Sequence, residues 1–156
     1  HERMADLIED LLTLARDRET TPEPTPIQFE PFVRASWRNV DTGAATLVVE
    51  SDGTITGDES QLRQLFENLF RNAIEHGGDD VVISVGATAD GFYVADDGDG
   101  IPEDEREDVF DAGFTTAADG TGFGLAIVSE IVDAHDWEIR ATEGDAGGAR
   151  FEIRTE

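Results

Sequence analysis

Six apolar side chains near the middle of the chain, Leu62, Leu65, Phe66, Leu69, Phe70 and Ala73, recur at steps of three and four. That spacing places them on one stripe of a long α-helix, which must be covered by a second layer. The helix starts at Asp58 or Ser60 and runs to His76, where Gly77-Gly78 stops it. Directly afterwards the apolar period changes to two. Val81 to Ala87 and Phe92 to Ala95 read as a strand pair turning at Asp90-Gly91. Pro31 to Val40 reads as a short helix, Ala45 to Glu50 as a strand ending at Ser51-Asp-Gly53, and Glu103 to Val109 as a short helix inside a long loop. A helix from about Gly122 to Ala134 and strands Trp137 to Thr142 and Ala149 to Thr155, joined by residues 144–148, close the chain. The fold class this predicts is α+β, a two-layer sandwich with helices covering one face of a mixed sheet.

The beginning of the chain is organised differently. Met4, Leu7, Leu11 and Leu14 alternate at steps of three and four, a coiled-coil seam, and Ile8, Leu12 and Ala15 widen it to the stripe of a larger bundle. Pro22, Pro24 and Pro26 cannot continue that helix and make a stiff linker. The expected organisation is therefore a bundle helix over residues 1–18, a linker over 19–26 and a folded domain over 27–156.

Of the 156 residues, 36 are Asp or Glu and 11 are cationic, all of them Arg, for a net charge of −25. Such a field repels nucleic-acid backbones, while a local pocket for a nucleotide remains possible. The carboxylates are spread among well-patterned apolar segments, so the charge reads as a hydrated folded surface suited to concentrated salt, as in a halophile. No window is apolar enough to cross a membrane, and a cytoplasmic location is expected. Absent cysteine excludes disulfides and Cys-ligated metals.

Three features carry chemistry. Asn68 and Asn72 share one flank of the apolar stripe, one turn apart, where a cleft edge would lie. Capping or solvent exposure would also account for them. Asp96-Asp-Gly-Asp-Gly-Ile-Pro102 follows a strand, and its glycines would let backbone approach a flat ligand, although such loops are often simple turns. Gly120-Thr-Gly-Phe-Gly124 opens a helix, whose free N–H groups suit phosphate, but it lacks the spacing of a dinucleotide fingerprint and the Lys of a P-loop.

Taken in order, Asn68-Leu-Phe-Arg-Asn-Ala73, Asp96-Asp-Gly-Asp-Gly100, Phe110 with Phe114, and Gly120-Thr-Gly-Phe-Gly-Leu125 resemble the N, G1, F and G2 boxes of histidine protein kinases. That ATP-binding superfamily also includes DNA gyrase, mismatch-repair ATPases and heat-shock chaperones. The resemblance covers residues 27–156, and residues 1–18 resemble the end of the second helix of a dimerisation and phosphoacceptor domain. It implies ATP and Mg²⁺ as cofactors. Asn72 would hold the Mg²⁺ that bridges the phosphates, Asn68 would support it, and Asp96 would accept from the adenine amine. Gly98, Gly100 and Ile101 would form the base-side loop. Phe110 and Phe114 would flank a lid, while Gly120, Thr121, Gly122, Phe123, Gly124 and Leu125 would shape the hinge and phosphate end, with His76 near the phosphates. The implied partners are phosphoacceptor helices, a receiver domain and a second copy of the parent kinase, without nucleic-acid or membrane contact by this segment.

The match has departures. Glu75 stands where many members have Lys, residues 111–121 contain no cation, and His135-Asp136-Trp137 replaces a common His-Gly-Gly. Arg71 points away from the stripe and is no phosphate clamp. His1 does not open an acceptor motif, so the phosphorylated His is expected on a helix outside this chain. An ATP-gated hydrolase is the competing reading. Its relatives place a Glu four residues before the Mg²⁺-binding Asn, where this chain has Asn68, and Glu67 lies about 100° around the helix. A non-catalytic nucleotide-binding module is the third.

Overall fold

The computed structural model describes residues 21–78, 80–98, 100–106, 108–110, 124–144 and 147–155. The bundle helix expected in the first 18 residues lies outside these. The elements in chain order are β1 (Thr25–Gln28), α1 (Phe29–Arg38), β2 (Thr46–Ser51), β3 (Thr54–Gly57), α2 (Glu59–Gly77), β4 (Val82–Ala87), β5 (Gly91–Asp96), α3 (Gly124–Ala134), β6 (Glu138–Glu143) and β7 (Ala149–Arg154). Five strands form one mixed sheet in the order β2-β4-β5-β7-β6, with only β2 and β4 parallel. The fold is α+β.

The apolar stripe of α2 is buried as its spacing requires, with Leu62, Leu65, Phe66, Leu69, Phe70 and Ala73 all in the core. Opposite it, Ile83, Val85, Phe92, Val94, Phe151 and Ile153 supply the inward face of the sheet. Phe66 is the contact between layers, with ring centroids 5.9 Å from Phe29 on α1 and 5.2 Å from Phe92 on β5. The alternate strand residues turn outward, where Arg140 and Arg150 share the Glu152 carboxylate and Arg150 lies 3.9 Å over the Tyr93 ring.

Several boundaries differ from expectation for identifiable reasons. Helix α1 begins at Phe29, two residues earlier than read, because the turn at residues 51–54 supplies its first acceptors: Phe29 N–H donates to Gly53 O at 2.9 Å and Glu30 N–H to Asp52 Oδ1 at 2.9 Å. Pro31 then sits in the first turn, where its missing N–H is no loss. Thr25 and Pro26, read as linker, belong to β1, which pairs antiparallel with β3 in a separate ribbon. The expected helix over residues 103–109 is two short 3₁₀ turns, Glu103–Glu105 and Asp108–Phe110, since so short a segment cannot repay α-helix nucleation.

Candidate functional site

Helix α2 is capped by Asp58, whose Oδ1 accepts from Gln61 N–H at 3.0 Å. Its stripe packs on the core, so the flank bearing Asn68 and Asn72 is turned toward α3. Asn68 is buried, 5% exposed, and its Nδ2 donates to Gln64 O one turn back at 2.9 Å. That bond aims the other amide atom: a Cβ placed on Gly124, the first residue of α3, would lie 3.6 Å from Asn68 Oδ1. The N-box flank and the start of the G2 helix therefore face each other. Asn72 is half-buried one turn further along. Arg71 is 48% exposed and pairs with Glu67 at 3.7 Å, turned away as its angular position requires.

The far end of the cleft is built around Asp96, the last residue of β5 and 9% exposed. Its Oδ1 accepts two backbone N–H groups, from Gly98 at 2.9 Å and from Ala149 at 3.2 Å. Both bonds fall on one oxygen. Burial raises this carboxyl above its ordinary pKa and the charge of Asp97 adds to the rise, while the two N–H bonds and His76 oppose it. The backbone closes tightly around the carboxylate. A Cβ on Gly98 would come 2.6 Å from Gly77 Cα, and one on Gly148 would collide with the Asp96 carbonyl oxygen and Oδ1. The end of α2, the loop after β5 and the start of β7 thus converge on one acceptor.

Other expected residues divide. His76 is half-buried, its pKa lowered by burial and partly restored by Asp96, so it lies at the Asp96 end of the cleft rather than beside Asn68. Gly100 needs its freedom, with φ of 78°. Ile101, Phe110 and Leu125 pack partly buried on the core, and the Phe110 ring sits 6.0 Å from Phe151 in edge contact. Phe114, Gly120, Thr121, Gly122 and Phe123 lie outside the described residues. Asp97 Oδ1 accepts Val82 N–H at 2.8 Å and holds the start of β4. Sequence reasoning missed Gly77, Gly148 and Ala149. The paired glycines Gly147-Gly148 were the available signal, but they were read only as a hairpin joint.

Along α2, nine residues separate Asn68 from Gly77, about 13 Å at 1.5 Å per residue. The cleft offers hard amide oxygens at one end and a single anionic acceptor in a glycine cradle at the other. Amide oxygen is a fitting donor for Mg²⁺, which binds few protein ligands and keeps waters or phosphate oxygens for the rest. Among the described residues no group of three His, Cys, Asp or Glu forms a metal cage. The Glu67 carboxylate is engaged from two sides, taking Asn39 Nδ2 at 3.1 Å and pairing with Arg71.

The family model for histidine kinase-, DNA gyrase B-, and HSP90-like ATPases matches residues 57–156. Sensor histidine kinase ZraS of Escherichia coli O157:H7 is 42% identical over 103 residues, covering 64% of this chain and 22% of that protein. Sporulation kinase C of Bacillus subtilis (strain 168) is 32% identical over 160 residues, covering 94% of this chain and 37% of that protein. The chain thus spans about a fifth to just over a third of these relatives. Full-length ShkA in complex with AMPPNP superposes with a TM-score of 0.79 at 27% identity, covering 97% of this chain and 35% of that one. The catalytic domain of histidine kinase ThkA gives 0.69 at 26% identity, covering 84% and 93%. The chain belongs to the histidine kinase-, DNA gyrase B-, and HSP90-like ATPase family, and its place there is among the ATP-binding catalytic domains of sensor histidine kinases.

Proposed function

We propose that this domain binds ATP with Mg²⁺ and directs the γ-phosphoryl group to a His on a phosphoacceptor helix of the parent kinase, for onward transfer to an Asp of a receiver domain. The observation that carries the reading is the buried Asp96 carboxylate at the end of β5, pinned through Oδ1 by two N–H groups, and Oδ2 is the oxygen we assign to the ligand. Such an acceptor selects an exocyclic amine. Asn72, with Asn68 beside it, is the residue to hold Mg²⁺, which when bound supplies the positive charge that phosphoryl transfer requires. An imidazole nitrogen carries its own lone pair, so the domain needs no strong base. The commitment of Glu67 to Asn39 and Arg71 favours transfer over hydrolysis. The structure of ShkA in complex with AMPPNP supports the nucleotide assignment.

The parent protein acts as a homodimer, and this domain faces the cytoplasm. No helix among the described residues is long and apolar enough to cross a membrane. The net charge of −25 supports a setting of high salt. The test is nucleotide titration of the native chain and Asn72→Ala, with and without Mg²⁺. Native protein should gain ATP affinity from Mg²⁺, and the variant should lose that gain while binding adenosine unchanged. Mg²⁺-independent ATP affinity in the native chain would remove the role assigned to Asn72. In the full-length kinase, label from γ-labelled ATP should be acid-labile and base-stable, as phosphohistidine is.

A further inference from the structure

The linker that enters the domain is tied to the helix that carries the asparagines. β1 and β3 pair with Thr25 opposite Gly57, a register that puts Pro24 opposite Asp58. The β1–β3 backbone ladder ends at the Thr25–Gly57 pair. The Asp58 side chain takes over: its Oδ2 accepts Glu23 N–H at 2.9 Å, while Oδ1 caps α2 through Gln61 N–H. One carboxylate therefore joins the incoming linker to the first turn of α2.

Asp58 is itself held from a third side. Its N–H donates to His135 Nε2 at 3.0 Å, and His135 Nδ1 donates to Ile131 O at 2.8 Å, which fixes the neutral tautomer with Nε2 as acceptor. The His135 ring lies on Trp137, centroids 4.3 Å apart. Asp136 between them adopts a left-handed φ of 59°, the conformation that brings both rings to the same side. The end of α3, the start of α2 and the linker meet at a single residue, at the opposite end of α2 from the Asp96 cradle.

We propose that Asp58 is a positioning residue for phosphoryl transfer: it fixes the path of the linker relative to α2, and so the approach of the acceptor helix to the nucleotide edge at Asn68 and Asn72. The proposal rests on the kinase reading above. Transfer between groups on separate domains is sensitive to displacements of an ångström, whereas nucleotide affinity depends only on the cleft.

Two variants separate this role from simple helix capping. Asp58→Ser keeps a cap oxygen for the α2 N-terminus but has no second oxygen to reach Glu23, and Asp58→Ala loses both. In hydrogen exchange on this chain, the Glu23 amide should lose protection in both variants, while the Gln61 amide loses it only in Asp58→Ala. In the full-length kinase, Asp58→Ser should lower the rate of His phosphorylation by roughly ten- to a hundredfold, with the KM for ATP and the nucleotide Kd within about twofold of native. Persistent protection of Glu23 in Asp58→Ser would overturn the tie. Lost protection with an unchanged transfer rate would overturn the positioning role. A native full-length protein that forms no phosphohistidine would overturn the kinase reading and the transfer role with it, and the Glu23 amide would still decide whether the tie exists.

Discussion

Replacing Asp96 by Asn keeps the shape of the side chain and turns one carboxylate oxygen into an NH₂. Oδ1 must still accept from Gly98 and Ala149, 2.9 and 3.2 Å away, so the new donor falls at the Oδ2 position, the one assigned to the ligand. There it meets the donor amine of adenine. Loss of a hydrogen bond to a charged group costs about 1.5–3 kcal/mol, or about 10- to 150-fold in Kd. A purine carrying a carbonyl at that position, as in ITP, should gain on ATP, because the introduced amide could donate to it. Stability should move the other way. Asp96 is a carboxyl whose folded-state pKa is raised above 3.8, chiefly by burial, so its contribution to stability is fully present below that value and is lost as pH rises through the folded pKa. At neutral pH the charge costs stability, and the neutral amide removes that cost. Native ATP affinity should fall as pH drops through the raised pKa, earlier than for an exposed Asp, while that of Asp96→Asn stays level. Calorimetric titration with ATP and ITP across a pH series in molar KCl with Mg²⁺, beside thermal melting, reads all four effects. Unchanged ATP affinity would refute the adenine assignment, and a melting temperature lowered by many degrees would show that Oδ2 holds the fold rather than the ligand.

Gly148→Ala puts a Cβ against the Asp96 carboxylate and against its backbone carbonyl oxygen, which cannot swing aside. Overpacking of this kind costs about 1–3 kcal/mol, which for a domain of this size lowers the melting temperature by about 3–10 °C. ATP affinity should fall with it, and a native-like melt with native affinity would show that the two strand ends are not coupled. The net charge of −25 gives a further expectation: the melting temperature should rise steeply with KCl as the Debye length shrinks from about 30 Å at 0.01 M to about 3 Å at 1 M. A melting temperature flat across that series would refute the high-salt reading.

What could be read from the sequence was what is written locally. The stripe from Leu62 to Ala73, the alternation in β4 and β5 and the stop at Gly77-Gly78 depend on neighbours within a turn or a hairpin, and each appears where its period places it. The flank position of Asn68 and the outward turn of Arg71 follow from the same helical angle. Tertiary structure decided the contacts between distant segments. The β1–β3 ribbon pairs Thr25 with Gly57, and prolines that signal a linker locally are tolerated there because the ladder needs no donor from them. Ala149 reaches the Asp96 carboxylate across 53 residues, and Gly148 matters only because Asp96 lies against it. Asp97 sits beside Asp96 in the same loop, yet its side chain is spent on Val82, because a backbone N–H at a strand start needs an acceptor. A side chain's local period says which way it points; which backbone group arrives to meet it depends on how the whole chain closes.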